Sequence, residues 1–342
     1  MTSFFDNLSD FLISARPQTR KPFLAPFHWV LMSNGLSEHD ESIVLFGFER
    51  NACQPSLVAK VPRLPSNYWT IQIEYDRLQE LWALLEYDEA CKLLPEPYAL
   101  ANLSGQYALI TNYLPGENLL RAQKKILWGN SNSVKIFLIE AGKTLRLILD
   151  KTSKKIIGQE KISSEFENQV EKFIKMYPLT EHERQVLSNL NDEVKKLQEK
   201  AAHKVLIQGD FWHGNILRNT EKKNLMVIDW QYSRWSIDAS LDVYMILLAG
   251  ALAASDSEDD PQKKARLAFN TLLTWKKDII PAYLLAFGFP ETYLILPLLS
   301  GMLRCCVEKT VRASMEIGVD QKADIIWCYL FKELTKWQDA NG

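Results

Sequence analysis

The stretch from His203 to Asp242, HKVLIQGDFWHGNILRNTEKKNLMVIDWQYSRWSIDASLD, constrains this chain more than any other. It opens on an apolar run, Val205-Leu206-Ile207, of the length of a short buried strand. A polar loop carrying Asp210 and Asn215 follows. Ile216-Leu217 then leads through the turn-like Asn219-Thr220-Glu221-Lys222-Lys223-Asn224 into a second apolar run, Leu225-Met226-Val227-Ile228, which ends on Asp229. The pattern reads as strand, loop, hairpin, and a carboxylate at the mouth of the hairpin.

An Asp and an Asn in a loop most often close turns. Three such residues in this order, flanked by apolar strands, suit a different task. Phosphoryl transfer passes through a loose transition state, so the protein mainly positions groups and neutralises charge. One carboxylate receives the proton of an attacking hydroxyl or orients it, and Asp210 fits that role. Mg²⁺ is a hard cation that takes oxygen ligands, and Asn215 and Asp229 fit that one.

These residues resemble the catalytic segment of the aminoglycoside phosphotransferase and choline kinase family, which has a protein-kinase-like fold. Gln208-Gly209-Asp210-Phe211-Trp212-His213-Gly214-Asn215-Ile216-Leu217 and Val227-Ile228-Asp229-Trp230 match its pattern of an Asp, four residues, an Asn, and an Asp at the end of a later strand. Asp242, in Ser236-Ile237-Asp238-Ala239-Ser240-Leu241-Asp242-Val243, stands where the family braces the catalytic loop from the next helix. Gln208 departs from the His of many relatives. The protein-kinase run His-Arg-Asp is absent, and Trp230 rather than Phe-Gly follows Asp229, so a small-molecule acceptor is favoured over a protein. A protein kinase and a non-catalytic nucleotide-binding scaffold are the rival readings.

Upstream, Phe27 to Phe48 reads as a hairpin around the turn Ser33 to Glu41, in which Gly35 is the one glycine; kinase-like folds place such a turn over the nucleotide phosphates. Ser56-Leu57-Val58-Ala59-Lys60-Val61 is a strand with Leu57, Ala59 and Val61 on one face and Val58 and Lys60 on the other. Trp69 to Glu86 is an amphipathic helix. By resemblance, Lys60 contacts the α/β phosphates and pairs with a Glu of that helix, Glu74, with Glu80 as the alternative. Pro95-Glu96-Pro97 reads as a loop. Tyr107 to Leu114 reads as a strand running into Pro115-Gly116, and Tyr113 and Leu114 are the candidate hinge that receives adenine. Trp212 and His213 lie where an acceptor would dock, as substrate contacts or as packing.

The rest of the chain is helical. Helices are expected over Ser133 to Leu149, over Ile162 to Lys200 with a break near Pro178 and a capping box at Thr180 and Glu183, and over Leu241 to Ala254. Ser255 to Asp260, SDSEDD, reads as an acidic surface loop, and Arg304 and Arg312 sit inside the helical pattern of Leu303 to Ser314. Phe4, Phe5, Leu8, Phe11 and Leu12 form an amphipathic N-terminal helix interrupted by Asp6 and Asp10, unlike a signal peptide. Ile279 to Leu303 is strongly apolar, but Pro281, Pro290 and Pro297 divide it into two buried helices rather than a span.

With 342 residues, 47% hydrophobic and 24% charged, the chain can bury one large or two modest cores. A formal net charge of -2 gives no electrostatic case for a nucleic-acid partner. The 5 cysteines are odd in number and scattered, which favours reduced thiols and a cytoplasmic setting over a disulfide framework or zinc site. Together with the resemblance, the expectation is an α+β, bilobal fold. Its small β-rich N-lobe spans residues 1–114 and its large, mainly helical C-lobe residues 115–342. Its cofactors are ATP and Mg²⁺, and its acceptor is a small hydroxylated molecule, with a sugar, amino sugar or aminoglycoside-like compound placed first. The sequence leaves the oligomeric state open.

Overall fold

The computed structural model describes residues 4–15, 27–33, 42–118, 128, 130–156, 165–219, 221, 224–289, 292–317 and 325–341. The chain divides into two compact units, Met1–Gly116 with Asn219–Ser233, and Glu117–Arg218 with Arg234–Gly342.

The first unit is built on a five-stranded antiparallel sheet. In chain order it comprises helix α1 (Phe4–Ala15), strands β1 (His28–Ser33), β2 (Ser42–Phe48) and β3 (Leu57–Pro62), helices α2 (Tyr68–Leu84) and α3 (Tyr87–Leu93), and strands β4 (Pro97–Leu103) and β5 (Gln106–Asn112). The strands lie in the order β1-β2-β3-β5-β4. Alternation along β3 decides the layers: Leu57, Ala59 and Val61 are buried, while Val58 and Lys60 take the opposite face. Leu57, Ala59 and Val61 share a core with Leu8 and Leu12 of α1, Leu45, Ala101, Leu103, Ala108 and Ile110. The amphipathic N-terminal helix is therefore part of this core. α2 packs on β3, β4 and β5. The expected loop at Pro95 to Pro97 is shorter than read, because Pro97 opens β4. That strand is at the sheet edge and Pro97 is its first residue, where a missing N–H costs no ladder bond. The turn with Gly35 lies outside the described residues.

The second unit is mainly helical. Asn130 caps the helix Ser131–Thr152, its side-chain oxygen accepting from the Asn132 and Ser133 amides at 2.9 and 3.1 Å. That cap is why the helix starts earlier than the apolar pattern suggests. Glu165–Met176 and Glu181–Lys200 follow, the second opened by the Thr180–Glu183 capping box. Of the acidic stretch 255–260, Asp260 caps the helix Pro261–Trp275 and Asp256 pairs with Lys264. The apolar segment near 280 divides into Ile279–Phe287 and Leu298–Ile317, the first ended by Gly288 at φ 68°. No helix among the described residues is long and apolar enough to cross a membrane.

At the centre of this unit lies Ser240–Ala254, buried on every side from Ser240 to Leu252. A helix apolar all round belongs in a core. It packs against Ser131–Thr152, Pro261–Trp275 and Leu298–Ile317. Two small sheets sit alongside: His203–Ile207 pairs with Lys154–Lys155 and Arg234–Ser236, and Glu117–Asn118 pairs with Ile216–Asn219.

The closest approach in this core is at Gly301, where a Cβ would stand 2.0 Å from Cε2 of Tyr244. That ring is fully buried, and its hydroxyl donates to Leu296 O at 2.7 Å. Gly301→Ala is expected to destabilise the protein by about 2 kcal/mol despite its better helix propensity, because overpacking outweighs it. Thermal or urea unfolding checks this.

Candidate active site

In the first unit, alternation along β3 places Lys60 opposite the core, on the face against which α2 packs. Lys60 Nζ donates to both oxygens of Glu74, at 2.8 and 2.7 Å, and to Oδ1 of Asp229 at 3.0 Å. Glu80 instead pairs with Arg77 one turn along its own helix, at 2.9 Å. The Glu74 side chain is 2% exposed and that of Lys60 19%. Burial alone would lower the lysine pKa, but Asp229 and Glu74 outweigh it and raise it, so the ammonium is held charged. Asp229 has φ 63°, in the left-handed region that few residues other than Gly adopt. Trp230 behind it is fully buried, its Nε1 donating to Val227 O at 3.2 Å. Tyr113 donates its amide to Ser56 O at 2.9 Å, its ring meets Phe46 edge-on at 5.2 Å, and Leu114 is buried.

In the second unit, the strand His203–Ile207 delivers the loop that carries Asp210. Gly209 turns the chain at φ 80°, where a side chain would be strained. Asp242, in the first turn of Ser240–Ala254, accepts from the amides of Gln208 and Gly209 at 2.6 and 2.8 Å. Gln208 then accepts the Asp210 amide on its own side chain at 2.7 Å, so this side chain fixes the loop from within. Asn215 Nδ2 donates to the Asp210 carbonyl and to Asp210 Oδ2, both at 3.1 Å. Those bonds leave Oδ1 as the amide atom able to face a cation. His213 is buried, with its ring 5.0 Å from both Trp128 and Trp212.

Two basic residues not assigned from the sequence complete this surroundings. Lys309, on Leu298–Ile317, pairs with Asp210 Oδ1, and Arg312 NH1 lies 3.6 Å from the same oxygen. Arg312 NH2 also donates to Gly209 O at 2.9 Å. Burial pushes the Asp210 carboxyl up, but Lys309 and Arg312 outweigh it and hold its pKa below the usual value. Nothing local in the sequence ties residue 309 to residue 210. The one available signal was the i, i+3 spacing of Lys309 and Arg312, which puts both on one helical face.

Among the described residues no group of three or more His, Cys, Asp or Glu could hold a metal. A magnesium ion held through one or two side chains and substrate phosphates needs none. Asp229 in the first unit and Asn215 in the second each carry a hard oxygen of the kind such an ion takes.

The sequence matches the phosphotransferase enzyme family over residues 44–276. The chain belongs to that family. It is an enzyme, a small-molecule kinase. No curated protein matches the sequence. Among solved structures, a choline kinase from Streptococcus pneumoniae is similar, with TM-score 0.55 and 12% identity over 97% of this chain and 98% of that one. An aminoglycoside phosphotransferase from Streptomyces rimosus, in complex with ADP and streptomycin, gives 0.54 and 14% over 88% and 97%. A glucosamine kinase gives 0.51 and 13% over 98% and 87%. At these identities the likeness establishes the protein-kinase-like fold of this kinase.

Two consequences are measurable. Burial pushes the Asp242 carboxyl up to about 7, against the two amides and Arg234 that favour its charge. Between about pH 4 and 7 the folded kinase holds a proton that the unfolded chain has released, so this group makes stability fall as pH rises through that window. Asp242→Asn removes the slope: the melting temperature of the wild type should drop relative to the variant between pH 4.5 and 7.5. In the first unit, Lys60→Met leaves Glu74 buried without its cation. It should cost roughly 3 kcal/mol or more, and adding Glu74→Gln should recover much of that in denaturant unfolding.

Proposed function

We propose that this kinase transfers the γ-phosphoryl group of ATP to a hydroxyl of a small molecule. The observation that carries the reading is Lys60 Nζ, held charged between Glu74 and Asp229. An ammonium fixed in this way is positioned for phosphate oxygens, which a lysine binds as a point charge. Lys60 is assigned to the α/β phosphates. The Tyr113 amide is committed to Ser56, so the adenine contact at the hinge is assigned to Leu114, with Tyr113 beside it. Asn215 and Asp229 are assigned to Mg²⁺, which supplies charge neutralisation at the phosphates.

Asp210 is assigned to the acceptor. A carboxylate held ionised orients the hydroxyl and receives its proton late in the transfer, a contribution of roughly 10²–10⁴ in rate. Asp242 braces the loop on which Asp210 and Asn215 stand. Trp212 is assigned to a flat face of the acceptor, with His213 packed behind it. A sugar or amino sugar comes first as acceptor class, in keeping with the streptomycin and glucosamine named for two similar structures. Gln208-Gly209-Asp210 and Trp230 favour this over a protein acceptor, and the complete Asp210, Asn215 and Asp229 set speaks against an inert scaffold. The five cysteines are free, which fits a cytoplasmic setting.

The test separates binding from transfer. Asp210→Ala should keep nucleotide affinity within about threefold while removing at least 10²-fold of transfer. Asp229→Ala should weaken binding of ATP in the presence of Mg²⁺ but change metal-free binding far less. Calorimetry with and without magnesium, beside a labelled-ATP transfer assay, reads both. Undiminished transfer in Asp210→Ala would contradict its role.

A further inference from the structure

The loop that carries Asp210 and Asn215 is held at one more point, by Asn118. Glu117–Asn118 is a two-residue strand at the start of the second unit. It pairs antiparallel with the strand that leaves the loop, Glu117 opposite Arg218 and Asn118 opposite Leu217. That ladder brings the Asn118 side chain to the loop, where its Nδ2 donates to the carbonyl of Gly214 at 2.9 Å.

The Gly214 carbonyl belongs to the peptide that leads into Asn215. Both polar groups of that peptide are held: the carbonyl by Asn118, and the N–H of Asn215 by Trp212 O at 2.9 Å. The Asn215 side chain is turned onto Asp210, donating to its carbonyl and to Oδ2 at 3.1 Å. Gly214 and Asn215 are both buried. A buried carbonyl needs a donor. Without one it stays unpaired at a cost, or the peptide turns to find another. Glycine resists such a turn least of all residue types, and glycine is what the packing demands at 214, where a Cβ would stand 2.5 Å from Cζ2 of the Trp212 ring folded over it.

The other supports act at the opposite end of the loop. Asp242 takes the amides of Gln208 and Gly209, and Gln208 takes that of Asp210. Asn118 acts on the residue just before Asn215. We propose that Asn118 is a positioning residue for Asn215: its side-chain amide sets the plane of the Gly214–Asn215 peptide and so keeps Asn215 in the orientation that leaves Oδ1 for Mg²⁺. The inference deepens the proposed function and rests on it for the metal.

Two measurements test it, the first without any ligand. In the protein free of nucleotide and metal, amide-resolved hydrogen exchange compares the wild type with Asn118→Leu, which has nearly the shape of Asn and no polar atom. The Asn215 amide should exchange about tenfold faster or more, while the Gln208 and Gly209 amides held by Asp242 stay within about threefold. Calorimetry of ATP with and without Mg²⁺ then gives the factor by which the metal tightens binding. Asn118→Leu should cut that factor about tenfold, because a partner behind a metal-holding residue is worth about 10–100-fold in metal affinity, and should leave metal-free ATP affinity within about twofold. Asn215→Ala should cut the factor too, and adding Asn118→Leu to it should change little more, since the two residues act as one. Asn118→Asp, which keeps the shape and turns a carboxylate oxygen on the same carbonyl, should repeat the result, and melting curves confirm that each variant is folded.

Unchanged exchange at Asn215 in both Asn118 variants would overturn the inference and leave the kinase reading standing. So would fully additive losses in the double variant, or an equal loss of ATP affinity with and without metal, either of which would make Asn118 a general support of the unit. A wild type whose ATP affinity is indifferent to Mg²⁺ would remove the magnesium assignments of the proposed function and this inference together.

Discussion

An ammonium clasped by two carboxylates governs the architecture of the first unit. Lys60 and Glu74 come from a strand and a helix, and Asp229 from a segment far along the chain, yet one nitrogen holds all three. Removing either partner of a buried pair leaves a charge that water cannot reach, which costs more than the intact pair contributes. The register of β3, the placement of α2 and the left-handed backbone at Asp229 are therefore mutually dependent. In the proposed function the same charged lysine meets the nucleotide phosphates.

The second unit solves a related problem with backbone groups. A loop that must aim Asp210 and Asn215 has amides turned inward, and buried N–H groups need acceptors. Asp242 takes two of them and the Gln208 side chain takes a third. The brace rises from the most buried helix of the unit, so the loop inherits the rigidity of the core. Sites of this kind depend on support behind the reacting groups as much as on those groups. Lys309 and Arg312 of Leu298–Ile317 then set the charge around Asp210.

Much of this was legible in the sequence because the decisive residues are local. Val205 to Ile207 and Leu225 to Ile228 are short apolar runs whose type follows from length and flanking residues, and Thr180 with Glu183 announces a helix start by side-chain chemistry. Lys60 could be placed on the outer face of its strand by counting in twos. The boundaries that moved, at Asn130 and at Pro97, moved for a cap and for an edge-strand proline, both of which depend on neighbours that periodicity does not see. Lys309 is a different case. Its partner lies 99 residues earlier, and on a helix rich in basic and apolar residues a lysine reads as a solvated charge. Only the packing of Leu298–Ile317 against Ser240–Ala254 makes it part of the site. The composition of the helix carried the charge, and the tertiary fold gave it a target.

The central claim is that the phosphoryl group leaves ATP for a carbon-bound oxygen. Phosphorus NMR of the kinase with ATP, Mg²⁺ and hydroxylated acceptors observes that bond directly. The account predicts a new phosphomonoester signal growing in step with ADP and vanishing when magnesium is chelated. ATP that stays intact with every acceptor, or that yields inorganic phosphate alone, would contradict it.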